Sequence, residues 1–215
     1  GQTITTMSRR GKFLTIHFAN EGKLRLHLRM TGQLLVLSAA EPIQKHTHLI
    51  LYLSDGNQLR YIDVRRFGRF WYFKNEETDE ISGQSRLGPE PTDNSLTAEY
   101  LKLKLGNKRK AIKEALLDQT IVAGIGNIYA DEILFAAGIY PGTRCSALKD
   151  SNWFRLAEKI PEIILWGINA NEMTTEEYLA GKGRDYRNIS GLRAYGHTGK
   201  PCGVCGRIME KVTIG

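Results

Sequence analysis

The hydrophobic period of this chain changes once, and that change limits the folds open to it. Residues 13–18, 24–28, 33–37, 48–53, 58–62 and 69–73 are short strand-like runs rich in Leu, Ile, Phe and Tyr, and several of them alternate between apolar and polar positions. This period of two is the signature of strands with one buried face. Asn20-Glu21-Gly22, Thr31-Gly32 and Asp55-Gly56-Asn57 supply the turns between them. Beyond Leu96 the period becomes helical, across 98–105, 111–118, 128–137 and 153–166, with Pro161 expected as a kink or boundary. Residues 74–94 are polar, and Gly88-Pro89-Glu90-Pro91 continues neither structure. The expectation is an α+β, multidomain chain in which an antiparallel β-sandwich (1–75) and a linker (76–95) precede a helical domain (96–180). A basic, turn-rich tail (181–215) follows, with a short strand over 208–214.

At 215 residues and 41% hydrophobic content the chain can bury a core in each half. Lys and Arg outnumber Asp and Glu by 30 to 23, a net charge of +7 that suits a polyanionic partner. No apolar run approaches the roughly 18 residues of a membrane span, and residues 1–10 lack a secretory core, so a cytoplasmic chain without a membrane role is expected. Nothing in the pattern demands an oligomer, and a monomer is expected. An odd count of three cysteines, with Cys202 and Cys205 close together, disfavours a disulfide framework. Cys145 reads as a packing residue.

Three constellations carry chemistry. Gly124-Ile125-Gly126-Asn127 joins two helical patterns, and a glycine turn opening a helix at Asn127 presents backbone N–H groups and a favourable dipole to an anion. Lys108, Arg109, Lys110 and Lys113 stand just upstream, which makes a nucleic-acid backbone the natural anion. Taken alone, the four-residue turn serves equally well as a tight helix connection. Asp63-Val-Arg-Arg-Phe-Gly-Arg69 sets three arginines about one phenylalanine between strands; such a loop is either a solvated hairpin or a wedge that fills a duplex where a base has been extruded. Met30 before Thr31-Gly32, and Lys12 after Arg9-Arg10-Gly11, raise the same choice between ordinary packing or solvation and contact with a duplex. Pro201-Cys202-Gly-Val-Cys205-Gly206 has the spacing and glycines of a zinc knuckle, half of the four-ligand set that Zn²⁺ needs.

In order along the chain, Arg9-Arg-Gly-Lys-Phe-Leu14, Met30-Thr-Gly32, Lys45-His-Thr-His48, Asp63-Val-Arg-Arg-Phe-Gly68, Leu87-Gly-Pro-Glu-Pro91, residues 112–138 and Tyr195 through Cys205 resemble the formamidopyrimidine-DNA glycosylase family over essentially the whole sequence. That resemblance implies a β-sandwich followed by a helix-two-turns-helix domain and a zinc finger, here a partial zinc ribbon. It implies base-excision repair: a bifunctional glycosylase and abasic-site lyase that removes oxidised purines such as 8-oxoguanine by β,δ-elimination. The partner it implies is double-stranded DNA carrying an oxidised purine or an abasic site, in a bacterial cytoplasm. Lys12 matches the family lysine that contacts phosphate and assists elimination. Met30, Arg65 and Phe67 match the trio that fills the vacated stack. His46, Arg65, Lys108 and Asn127 match DNA-contacting positions, with Lys113 a further phosphate ligand. Cys202 and Cys205 match half of the zinc site.

The sequence departs from the family pattern in three places. The Pro-Glu pair that supplies the family's amine nucleophile is not found, nor is the second cysteine pair, so a truncated chain lacking normal lyase activity is expected. The lesion-capping loop falls at 183–190 with altered wording, which leaves purine choice open. Two other readings remain: a non-catalytic relative that binds damaged DNA, and an endonuclease VIII-type glycosylase for oxidised pyrimidines, disfavoured by Met30 and the Arg65-Arg66-Phe67 loop.

Overall fold

A computed structural model describes residues 1–74, 81–180 and 191–214. The chain folds as two compact units, Gly1–Ser85 with Met173–Tyr186, and Arg86–Glu172 with Arg187–Gly215.

The first unit is built on seven antiparallel strands: β1 (Ile4–Arg10), β2 (Phe13–Phe18), β3 (Lys23–His27), β4 (Gln33–Ser38), β5 (Thr47–Tyr52), β6 (Asn57–Ile62) and β7 (Arg69–Phe73). They form one sheet in the order β1-β2-β3-β7 and a second in the order β4-β6-β5. Ile16, Leu26 and Leu59 are buried in one cluster, with Leu34, Val36, Leu51 and Phe70 packed against it, so the two sheets share an apolar core. Alternation then sends Leu35, Leu37 and Ile62 to the outer face of the second sheet. Tyr178, on the short helix α5 (Thr175–Leu179), packs there, donating its hydroxyl to the Leu34 carbonyl at 3.0 Å while accepting from the Val36 N–H at 3.2 Å. Residues 173–180, expected in the helical domain, therefore group with the sheets. β1 has no counterpart among the strands expected from the sequence; it is an exposed edge strand, so it lacks the apolar alternation by which its neighbours announce themselves.

The second unit contains α1 (Ala98–Leu105), α2 (Ile112–Leu117), α3 (Asn127–Ala136) and α4 (Asp150–Ala170). Leu101, Leu105, Ile112, Leu116, Ile133, Trp153, Leu156 and Ile160 form its core, and Cys145 is buried among them as a packing residue. Pro161 neither ends nor bounds α4, which runs 21 residues through it. A missing N–H removes one hydrogen bond of the ladder, and the buried stripe on either side, Trp153 to Ile160 and then Gly167, holds the helix together across that gap. The stretch from Arg86 to Ser95 is more than linker: the Gly88 N–H donates to the Gln119 carbonyl at 2.9 Å, and the Ala123 N–H donates to the Pro89 carbonyl at 2.9 Å. A Cβ on Gly88 would lie 2.5 Å from the Ile121 carbonyl oxygen, so a close backbone approach explains the glycine. At 208–214 Ile208 forms an isolated bridge to Pro201 and Met209 exchanges backbone hydrogen bonds with Gly199 and Lys200, but the expected strand does not form. Among the described residues no helix is long and apolar enough to cross a membrane.

Candidate nucleic-acid interface

In the first unit the site is assembled around a carboxylate. Asp63, at the end of β6, is fully buried, and a buried carboxylate is tolerated only when its lone pairs are filled. Oδ1 accepts from the Thr31 hydroxyl and from the Arg65 N–H at 3.2 Å; Oδ2 accepts from the Tyr61 hydroxyl at 2.7 Å and the Gly68 N–H at 3.0 Å. Burial pushes the Asp63 carboxyl up, but the bonds from Thr31, Gly68, Tyr61 and Arg65 outweigh it and hold the group well below the usual carboxylate range. The Tyr61 hydroxyl is driven the other way, by burial first and then by Asp63. The backbone of Asp63 is held too: its N–H donates to the His46 carbonyl at 3.0 Å, and His48 Nε2 lies 2.8 Å from its carbonyl oxygen. Three connections, at 28–32, 44–48 and 63–68, thus meet on one side chain and its backbone.

What this junction displays is the expected trio. Arg65, Met30 and Phe67 are all exposed, and the Arg65 guanidinium bridges the other two: Nη1 is 3.2 Å from Met30 Sδ, and Cζ sits 4.6 Å from the Phe67 ring centroid. A cation over an aromatic face, with a soft sulfur on its other flank, is a compact, partly apolar surface. His46 and Arg66 hold left-handed backbone at φ 67° and 57°, an expense that tight loops around a functional surface commonly carry. At Gly68 any side chain would force Tyr61 to move, because a Cβ there would lie 1.7 Å from the Tyr61 hydroxyl oxygen.

Lys12 lies at the tip of the β1–β2 hairpin, after Gly11 at φ 55°. Desolvation, and then the Arg29 charge, push its ammonium pKa down. His27 belongs to the same electrostatic group: desolvation, then Arg29 and Lys12, lower it to about 4. Its ring packs edge-on against Phe13 at 5.0 Å, and Nδ1 accepts the Arg29 N–H at 3.0 Å, which suits the neutral Nε2–H tautomer. The Lys12 and Arg29 charges thus come close together at this hairpin tip.

In the second unit the α2–α3 connection is braced by Gln119, a residue that no sequence motif singled out. Gln119 donates Nε2–H to the Leu117 and Ile125 carbonyls, both at 2.9 Å, while its Oε1 accepts the Gly124 N–H at 3.0 Å. Gly124 holds φ 84° and so needs to be glycine, whereas Gly126, at φ −114°, has a backbone open to any residue. Gly126 rather than Asn127 is the N-cap of α3, and no side chain caps it. Asn127 is the exposed first residue of the helix, where first-turn N–H groups have no intrahelical acceptor. Lys108 is exposed on the α1–α2 connection. The Lys113 side chain, expected as a further phosphate ligand, is largely buried, and its ammonium pairs with Asp131 of α3 at 2.8 Å, which ties α2 to α3.

In the C-terminal segment Cys202 and Cys205 lie on a short hairpin, in which the Cys202 N–H donates to the Arg207 carbonyl at 2.8 Å and the Val204 N–H points at Cys202 Sγ from 3.4 Å. N–H donation from Val204, then Cys205, pushes the Cys202 thiol pKa down, as a thiolate ligand requires. Among the described residues no cluster of three or more His, Cys, Asp or Glu is placed to hold a metal ion. The lesion-capping loop expected at 183–190 lies outside the described residues.

Comparison with known proteins is in keeping with this arrangement. Residues 1–70 match the formamidopyrimidine-DNA glycosylase N-terminal domain, and residues 87–178 match the helix-two-turns-helix domain of the same enzymes. A formamidopyrimidine-DNA glycosylase of Moorella thermoacetica is 42% identical over 212 residues, 99% of this chain and 77% of the relative. The Lactococcus lactis protein Fpg (MutM), solved with DNA containing an oxidised pyrimidine, superposes with a TM-score of 0.86 at 33% identity, covering all of this chain and 78% of that one. MutM in complex with DNA containing carbocyclic 8-oxoguanine gives 0.86 at 34% identity, again over all of this chain and 78% of the other. The chain belongs to the formamidopyrimidine-DNA glycosylase family, DNA-repair glycosylase/lyases that carry a helix-two-turns-helix domain.

Proposed function

We propose that this chain recognises double-stranded DNA containing an oxidised purine or an abasic site, within a base-excision reaction of glycosylase followed by β,δ-eliminating lyase chemistry. The observation that carries the reading is the Met30–Arg65–Phe67 cluster, exposed and built on the buried Asp63. A damaged base is reached only when it leaves the stack, and the hole it leaves must be filled by something partly apolar that also satisfies the orphaned base's polar edge. Met30 and Phe67 supply the apolar bulk; Arg65 supplies the donors. His46 borders the same junction. Lys12, at its hairpin tip, holds a phosphate beside the lesion. In the second unit Asn127 and the free N–H groups of the first α3 turn grip a further phosphate, and Lys108 adds charge. Cys202 and Cys205 supply two of the four ligands of a Zn²⁺ ion, whose part is to stiffen the hairpin that bears them.

The test is equilibrium binding to matched duplexes bearing 8-oxoguanine, a stable abasic analogue or no lesion, for the parent chain and Arg65→Ala. The parent prefers the lesion duplexes, and the variant loses that preference while keeping most of its affinity for undamaged DNA. Equal affinity of the parent for all three duplexes would overturn the reading. A duplex with an oxidised pyrimidine belongs in the same series, because the Lactococcus lactis relative was solved with such DNA.

A further inference from the structure

Glu132 sits midway along α3, 3% exposed, in a helix whose other buried residues are apolar. Its partners are not local. Oε2 accepts the Arg193 N–H at 2.9 Å, and Oε1 accepts the Ala194 and Tyr195 N–H groups, each at 2.8 Å. Three successive backbone donors folded around one carboxylate form an anion-binding nest, here filled by a side chain from about sixty residues upstream. The adjoining contact is also polar in character, the Arg193 guanidinium lying 5.4 Å from the Phe135 ring centroid.

What makes this carboxylate more than a satisfied buried group is the poverty of other anchoring. Among the described residues, none of 191–214 is buried, and the apolar core of the second unit draws no residue from that stretch. The segment that hangs from the latch is hydrogen-bonded within itself: the His197 N–H donates to the Ala194 carbonyl, the Lys200 N–H to the His197 carbonyl, and the Met209 N–H to the Lys200 carbonyl, leading directly into the Cys202–Cys205 hairpin. Helix α3, at the other end of the latch, opens on the Asn127 turn.

We propose that Glu132 is a positioning residue whose carboxylate clamps the 193–195 backbone onto α3 and so sets the knuckle of Cys202 and Cys205 in register with the phosphate-gripping turn at Asn127. Its consequence for DNA rests on the function proposed above; the clamp itself does not. Glu132→Gln keeps the size of the side chain but replaces one acceptor oxygen with a donor and removes the charge that strengthens all three bonds.

The experiment compares parent and Glu132→Gln by amide hydrogen exchange and by binding to the abasic-analogue duplex. Amides 193–195 exchange about tenfold faster or more in the variant, core amides of α1 to α4 keep their protection, and affinity for the duplex falls about tenfold. Unchanged exchange at 193–195 overturns the clamp. Released amides with unchanged affinity overturn the positioning role. Should Glu132→Gln unfold α3, Ala194→Pro removes one donor without touching the helix: weaker duplex binding with an intact core supports the proposal, and parental affinity overturns it. A parent chain with no affinity for any duplex sinks the DNA reading, while the exchange result still decides the clamp.

Discussion

Asp63→Asn is the perturbation that tests the site at its centre. The native carboxylate has two donors on each oxygen: Thr31 and the Arg65 N–H on one, Tyr61 and the Gly68 N–H on the other. An asparagine amide can serve only one of these sets, whichever way it is turned. On the other side its NH₂ faces a hydroxyl, which can rotate to accept, and a backbone N–H, which cannot. One N–H stranded in a buried site costs about 1–3 kcal/mol, and two surviving bonds lose the strengthening of the charge, so a total of about 2–4 kcal/mol follows. Urea unfolding at neutral pH measures it as a lower midpoint at unchanged slope. The pH dependence supplies an independent check. Because the folded-state pKa of Asp63 is depressed, its contribution is present above the unfolded value near ~3.9 and is lost as pH falls through the folded one. The gap between parent and variant is therefore flat from neutral pH down to about 5 and narrows below about 4. A variant within about 0.5 kcal/mol of the parent at neutral pH, the range of an ordinary surface substitution, would refute the claim that this carboxylate organises the loops.

Three further outcomes follow from the same geometry. Gly68→Ala, whose Cβ would lie 1.7 Å from the Tyr61 hydroxyl oxygen, destabilises the chain by about 1–3 kcal/mol in urea unfolding, and a neutral result would mean that the loop is not held against Tyr61. His27 titrates at about 4 in the folded chain. With its folded pKa below the unfolded value of about 6.5, it adds stability above that pH and withdraws it as pH falls toward 4, so an imidazole NMR midpoint above 6 would contradict the burial of the ring beside Arg29 and Lys12. Lys108→Ala weakens binding to damaged and undamaged duplexes alike and makes the salt dependence shallower by about one charge; an unchanged salt slope would remove Lys108 from the phosphate contacts.

Much of the architecture was legible locally. The six strands read from short apolar runs, several of them alternating, all form to within a residue or two at their ends, because each has one face against the inter-sheet core. The four helical runs form for the equivalent reason, their apolar stripes meeting in a single cluster. Elements without such a stripe escaped: β1 is an edge strand stabilised by pairing with β2, and α5 is a short helix defined by a capping box at Thr174 and by Tyr178 on the outer sheet face. The strand expected at 208–214 failed for a related reason: backbone pairing with 199–201 reaches only Ile208 and Met209, and β-rich composition extends a strand only where a partner edge continues.

The candidate site divides in the same way. The residues that would touch a ligand, Met30, Arg65, Phe67, Lys108 and Asn127, stand in motifs whose spacing is local, and the structure exposes each of them. Asp63 stands at the head of one such motif, but its bracing part does not show there, and Tyr61, Gln119 and Glu132 carry no mark at all, because the partners of these four are mostly backbone N–H and C=O groups or lie in another loop. Lys113 shows the converse: its basic neighbourhood is visible in the sequence, and only the approach of α3 reveals Asp131 beside it. By itself, then, the sequence determined the two periods, the turns and the identity of the displayed groups, since these depend on side-chain type and short-range geometry. Which carboxylates are buried, what they clasp and which cations are spoken for were decided by tertiary structure alone, because hydrogen bonds and ion pairs act only at short range and distant segments come within that range only after folding.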